Sequence, residues 1–152
     1  METFILVLGI VLFAIAAYGD VKTFQIPNGL VAAVAVLGVT RLVVTGDLTV
    51  AFYTASASVM VFIATFLLFW RGFVGGGDAK LMTATALLVG YHNLFSFLVL
   101  MSLCGVLVTL AVLVTHRPSP EPQPKARLAI PYGVAIAGGG IVTLLFQPSL
   151  LG

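Results

Sequence analysis

Apolar residues in this chain gather in long runs, separated by short segments that hold most of the charged, glycine and proline residues. A membrane-crossing helix needs about 20 mostly apolar residues at about 1.5 Å of rise each. Runs from Thr3 to Tyr18, Ile26 to Val44, Leu48 to Trp70, Asn93 to Thr115 and Ile130 to Leu150 approach or exceed that length. A further run, Leu81 to Gly90, is short, and crosses only if its helix starts upstream near Asp78 or the bilayer thins locally. The pattern predicts an all-α polytopic membrane protein with about six transmembrane helices, residues 1–152 forming a single membrane-embedded domain. The first run is expected to remain as a helix, because its leading segment holds no Lys or Arg and Ala16-Ala17-Tyr18-Gly19-Asp20 is a poor cleavage signal.

Composition sharpens this picture. Of the 152 residues, 61% are hydrophobic and 8% charged, with a mean hydropathy of +1.19. A soluble domain carries about 25% charged residues, so the apolar excess here must face hydrocarbon, and membrane lipid is the expected surrounding. A net charge of +2 is too small a bias to imply a nucleic-acid partner. Cys104 is the sole cysteine and sits inside an apolar run, which excludes an intramolecular disulfide and a CxxC zinc site. No metal and no cofactor is expected.

Six crossings would place Lys22, Arg71, Lys80, Arg117, Lys125 and Arg127 on one side and only Arg41 on the other. The positive-inside rule assigns the first group to the cytoplasm, with both termini on the opposite side. Residues 116–127 include Pro118, Pro120, Pro122 and Pro124, whose spacing forbids a helix and favours extended geometry; a cytoplasmic linker is expected there.

Three aspartates bear on chemistry. Asp47, in Thr45-Gly46-Asp47, suits an N-cap for the third helix. Asp20 and Asp78 instead fall at the cytoplasmic edge, in the matching tetrapeptides Gly19-Asp20-Val21-Lys22 and Gly77-Asp78-Ala79-Lys80. Acidic groups at membrane depth are costly and need a partner, water or a function. Two carboxylates sharing one site hold a proton between them, so that one activates water as a base while the other hydrogen-bonds the scissile carbonyl. The alternatives lack parts: His92 and His116 lie on opposite sides of the predicted membrane, and Cys104 has no predicted histidine near it. Gly75, Gly76 and Gly77 read as a flexible substrate-binding loop; a phosphate loop would need GxxxxGK[ST], whereas Asp78 follows Gly77 here. Lys22 and Lys80 read as snorkelling lysines, Pro27 and Asn28 as a helix start, and Ser56, Ser58, Thr65, Thr83, Thr85 and Ser102 as small packing residues.

Gly75-Gly76-Gly77-Asp78 matches GxGD, extended to GxGDxK by Lys80, and Asp20 followed by Ile26-Pro27-Asn28 matches D-x5-IPN. With Ile130-Pro131-Tyr132-Gly133 opening the last helix, the chain resembles the type IV prepilin peptidases, in particular the short forms associated with tight-adherence (Flp-type) pili. The resemblance implies that Asp20 and Asp78 are the catalytic aspartates of a membrane endopeptidase. It implies as substrates the transmembrane segments of prepilins or pseudopilins, cut at the cytoplasmic face of the inner membrane, with pilus or secretion machinery as further partners. Presenilin-like GxGD proteases are less similar, since D-x5-IPN is not their pattern. The Val21 to Gln25 loop is too short to hold the cytoplasmic domain of the long prepilin peptidases, so peptidase activity without methyltransferase is expected. A proton-coupled transporter or ion pathway using the paired aspartates, and a non-catalytic assembly subunit, are the competing readings.

Overall fold

A computed structural model describes residues 2–115 and 131–146. They form six helices, α1 (Glu2–Thr23), α2 (Asn28–Thr45), α3 (Leu48–Trp70), α4 (Gly76–Val89), α5 (Tyr91–Thr115) and α6 (Tyr132–Phe146), with no strand among the described residues. The proline-rich linker expected at 116–127 lies outside them. Helices α1, α2, α3 and α5 are each long and apolar enough to cross a membrane. Large apolar side chains such as Val7, Met60, Leu107 and Leu110 are exposed along them, as lipid-facing residues must be. The chain is a multi-pass membrane protein.

α4 and α6 are shorter, at 14 and 15 residues, and α4 is the centre of the bundle. Its 14 residues reach roughly 21 Å, short of a hydrocarbon core of about 30 Å. It begins at Gly76, upstream of the apolar run, as a crossing there would require. Ala79, Leu81, Ala84, Thr85, Ala86, Leu88 and Val89 are all buried, with α2, α3, α5 and α6 packed around it. A helix surrounded by protein need not be apolar on every face, which is why Thr83 and Thr85 sit within it.

Its early end is satisfied from outside. The last carbonyls of a helix lack intrahelical donors, and at membrane depth water cannot supply them. Here Arg41 Nη1 donates to the Leu88 carbonyl at 2.9 Å, Asn93 Nδ2 to Val89 at 3.2 Å, and the Gly90 N–H to Ala86 at 3.1 Å. Arg41, expected on the side opposite the other basic residues, lies at the end of the bundle away from Asp20 and Asp78, where it is 5% exposed and serves as a cap from α2.

Hydrophobic burial does not drive helices together in lipid, so close fit must. α6 shows the device: a Cβ on Gly139 would lie 2.7 Å from the Met101 backbone of α5, so only glycine allows this approach. Phe13, Leu81, Leu88, Phe97 and Leu144 fill the space between the helices. Ser58, Thr65, Thr83, Thr85 and Ser102 bond the carbonyl four residues back, which removes their polarity without breaking the helix. Ser58, Thr65 and Thr85 are buried packing residues, whereas Ser56 and Ser102 are exposed.

Asp47 caps α3 as its turn sequence predicts, accepting from the Thr49 N–H at 2.7 Å and the Val50 N–H at 3.3 Å. These donors hold its carboxyl below the ordinary carboxylate range.

Candidate functional site

Asp20 lies in the last turn of α1, beyond the apolar run ending at Tyr18, and is 4% exposed. Its burial is compensated by α6. The first N–H groups of a helix have no intrahelical acceptor, and at α6 the Val134 N–H donates to Asp20 Oδ2 at 3.3 Å, with Gly133 also donating to the carboxylate. Asp20 thus caps a helix 114 positions away. The positive end of that helix favours a negative charge there. Pro131, just before α6, has no N–H to leave unmet. Gly133 provides room: a Cβ there would lie 2.8 Å from the Asp20 carboxyl carbon. Sequence reasoning noted Ile130-Pro131-Tyr132-Gly133 but missed this role; the available signal was a proline and a glycine at the start of an apolar run.

Asp78 is the third residue of α4 and accepts from the N–H of Gly75, the helix N-cap. This is half of a capping box. The triglycine segment is therefore not a loop, because Gly76 and Gly77 already belong to the first turn of α4. Nor do these glycines serve a positive φ, since Gly75 has φ −69°. They serve close approach: a Cβ on Gly75 would sit 2.9 Å from Asp78 Oδ2, and one on Gly76 would sit 3.2 Å from the Phe69 ring. The left-handed positions fall nearby, at Gly72 with φ 76° and at Phe24 with φ 50°. Phe24 stands just past α1, its N–H bonded to the Asp20 carbonyl at 2.9 Å, and a non-glycine residue in that conformation is uncommon.

Asp20 and Asp78 line one cavity of about 310 Å³, together with Phe24, Gln25, Ile26, Asn28 and the three glycines. The walls are the α1–α2 connection and the first turns of α2 and α4. The sequence places the pair between the first and fourth helices, but α6 packs on both of these and supplies the backbone that fixes Asp20. Lys22 turns back to the Tyr18 hydroxyl at 3.1 Å, while Lys80 donates to Asn28 Oδ1 at 3.1 Å. Among the described residues, no three His, Cys, Asp or Glu side chains gather as metal ligands.

Asp78 also borders a second, larger space of about 460 Å³. Met101, Ser102, Gly105, Val106, Thr109 and Leu110 form one stripe of α5 along it, opposite Met82 of α4 and Tyr132, Ala135 and Ile136 of α6. The stripe, two rows at a four-residue interval, extends roughly 13 Å along the helix. A polar cavity and an apolar groove therefore meet at one carboxylate.

A family model described as the type IV leader peptidase family matches residues 6–110. The chain is also 30% identical, over 152 residues, to the "Prepilin leader peptidase/N-methyltransferase" of Bacillus subtilis (strain 168). That match takes in 99% of the chain and 59% of the relative's length. No solved structure matches the chain.

Proposed function

The chain belongs to the type IV leader peptidase family, and we propose that it is an aspartic endopeptidase that removes the leader of type IV prepilins or pseudopilins, Flp-type prepilins among them, at the cytoplasmic face of the inner membrane. The observation that carries this reading is the placement of Asp20 and Asp78 on one cavity, with Asp78 shared by the apolar groove. The extended segment holding the scissile bond enters the cavity, and the apolar helix of the substrate lies along α5 in the groove.

Two nearby carboxylates do not both ionise readily, and the pair holds one proton. The ionised member takes a proton from water as the water oxygen attacks the scissile carbonyl carbon. The protonated member hydrogen-bonds the carbonyl oxygen as it gains charge. Collapse of the tetrahedral intermediate breaks the C–N bond, and a proton passed from the dyad leaves with the new amine. The four residues between α1 and α2, Phe24 to Pro27, leave no room for a domain at that connection, and the reading is peptidase chemistry without methyl transfer. A transporter would place its acids near the membrane midplane, whereas these stand at the last turn of α1 and the first turn of α4.

The test is incubation of the purified chain, in detergent or lipid, with a full-length Flp-type prepilin and the methyl donor S-adenosylmethionine, followed by mass spectrometry. Release of the intact leader and a pilin with a free, unmethylated N-terminal amine is expected. An uncut prepilin would overturn the reading.

A further inference from the structure

The last residues of the two aspartate motifs meet. Asn28 ends Ile26-Pro27-Asn28, Lys80 ends the GxGDxK segment, and the 3.1 Å hydrogen bond from Lys80 Nζ to Asn28 Oδ1 joins them across 52 positions. An ammonium carries only donors, so the amide must turn its oxygen toward Lys80. That removes the usual ambiguity of amide orientation and leaves the NH₂ group directed elsewhere. Asn28 is also a wall of the cavity that holds Asp20 and Asp78. Among the described residues, its Nδ2 has no acceptor. Its backbone is firmly set, because it is the first residue of α2 and follows Pro27, whose φ of −60° is fixed by its ring.

We propose that Asn28 is a substrate-binding residue, donating its Nδ2–H to a backbone carbonyl oxygen of the bound peptide at or beside the scissile bond, and that Lys80 is the positioning residue that orients the amide. The proposal rests on the peptidase reading. An extended peptide presents carbonyl oxygens that need donors once water is displaced, and the two carboxylates of the cavity supply at most one proton between them. Asn28 adds a neutral donor that leaves the charge of the dyad unchanged.

The competing role is a tether, with Lys80 and Asn28 merely holding α2 to α4. Asn28→Asp separates the two, since a carboxylate accepts from Lys80 at least as well as an amide but has no N–H to give. The donor role predicts a fall in kcat/KM of at least about tenfold for Asn28→Asp at its own pH optimum; the tether role predicts wild-type turnover. Recording the full pH profile separates loss of the donor from a charge effect on the dyad, which would move the optimum while keeping its height. Lys80→Met should lower kcat/KM in the wild-type background and not further in Asn28→Ala, because Lys80 acts through Asn28. Should Asn28→Asp not fold, Asn28→Ser serves instead: its hydroxyl both accepts and donates, and it should exceed Asn28→Ala in turnover. Asn28→Asp within twofold of wild type at its own optimum, Asn28→Ser no better than Asn28→Ala, or a further loss from Lys80→Met in Asn28→Ala would overturn the proposal. A wild-type chain that leaves the prepilin uncut would overturn the peptidase reading and this proposal with it.

Discussion

Gly133 offers the sharpest contrast between packing and chemistry at the residue scale. A Cβ at this position would intrude on the Asp20 carboxylate at 2.8 Å, so Gly133→Val is expected to displace Asp20 and to cost at least tenfold in turnover, on the order of what misplacing one catalytic group costs. Circular dichroism should show an unchanged helical content. Asp47→Asn is the opposite case. The folded pKa of Asp47 is lowered, so its contribution to stability is present above the unfolded value and lost as pH falls through the folded one. It stands at the start of α3, outside the cavity, and its substitution should leave leader cleavage unchanged in the same assay. Asp20 and Asp78 were legible in the sequence because a carboxylate at the end of an apolar run stands out against its surroundings. Gly133 was not, because the need for glycine arises from a carboxylate that only folding brings to α6. The glycines before Asp78 were legible as a group, and of the two uses such a cluster offers, close approach and freedom of φ, the fold shows the first, within a helical turn.

Among the elements, α4 decides the geometry of the site, and its length depends on residues of α2, α3 and α5. Thr54 Oγ1 accepts from the Tyr91 N–H at 3.4 Å, beside the caps supplied by Arg41 and Asn93. Arg41→Met should leave the Leu88 carbonyl without its donor and destabilise the bundle by about 1–3 kcal/mol, read as a lower midpoint in a thermal-shift measurement in detergent. An unchanged midpoint would show that α4 does not depend on this cap. The groove makes a separate prediction. Gly105 lies mid-stripe on α5, and a Cβ there would meet only the Ala135 Cβ, at 3.7 Å. Gly105→Ala should therefore be tolerated, whereas Gly105→Phe should fill the groove and raise KM for a full-length prepilin several-fold. For a peptide ending before the apolar helix, Gly105→Phe should leave KM unchanged. The helices themselves were visible in the apolar runs. The burial of Arg41 was hidden, because a lone arginine near the end of such a run reads as a loop charge until a shortened neighbouring helix is seen to need it.

The whole molecule is a bundle whose two ends are chemically unlike. One end gathers the C-terminus of α1 and the N-termini of α2, α4 and α6 around the carboxylates; the other holds the Asp47 cap, the Arg41 corner and the Tyr53–Tyr91 ring pair, 5.4 Å apart. The count of basic residues predicts that the first end faces the cytoplasm. In a Cys104→Ala background, Phe73→Cys and Ser119→Cys should label from the cytoplasm and Asp47→Cys from the opposite side. Equal labelling of all three from outside would refute the orientation. Fold class and the meeting of Asp20 and Asp78 at one cavity were readable at this scale, whereas the apolar groove was not, because it forms from faces of α4, α5 and α6 that no single run reveals. The central claim is that Asp20 and Asp78 act as one catalytic unit, and the most direct measurement is prepilin turnover by purified Asp20→Asn and Asp78→Asn. Each variant should insert and fold as the wild type does but lose activity by at least about a thousandfold, and the double variant should be no worse than either. Near-normal cleavage by either single variant would contradict the claim.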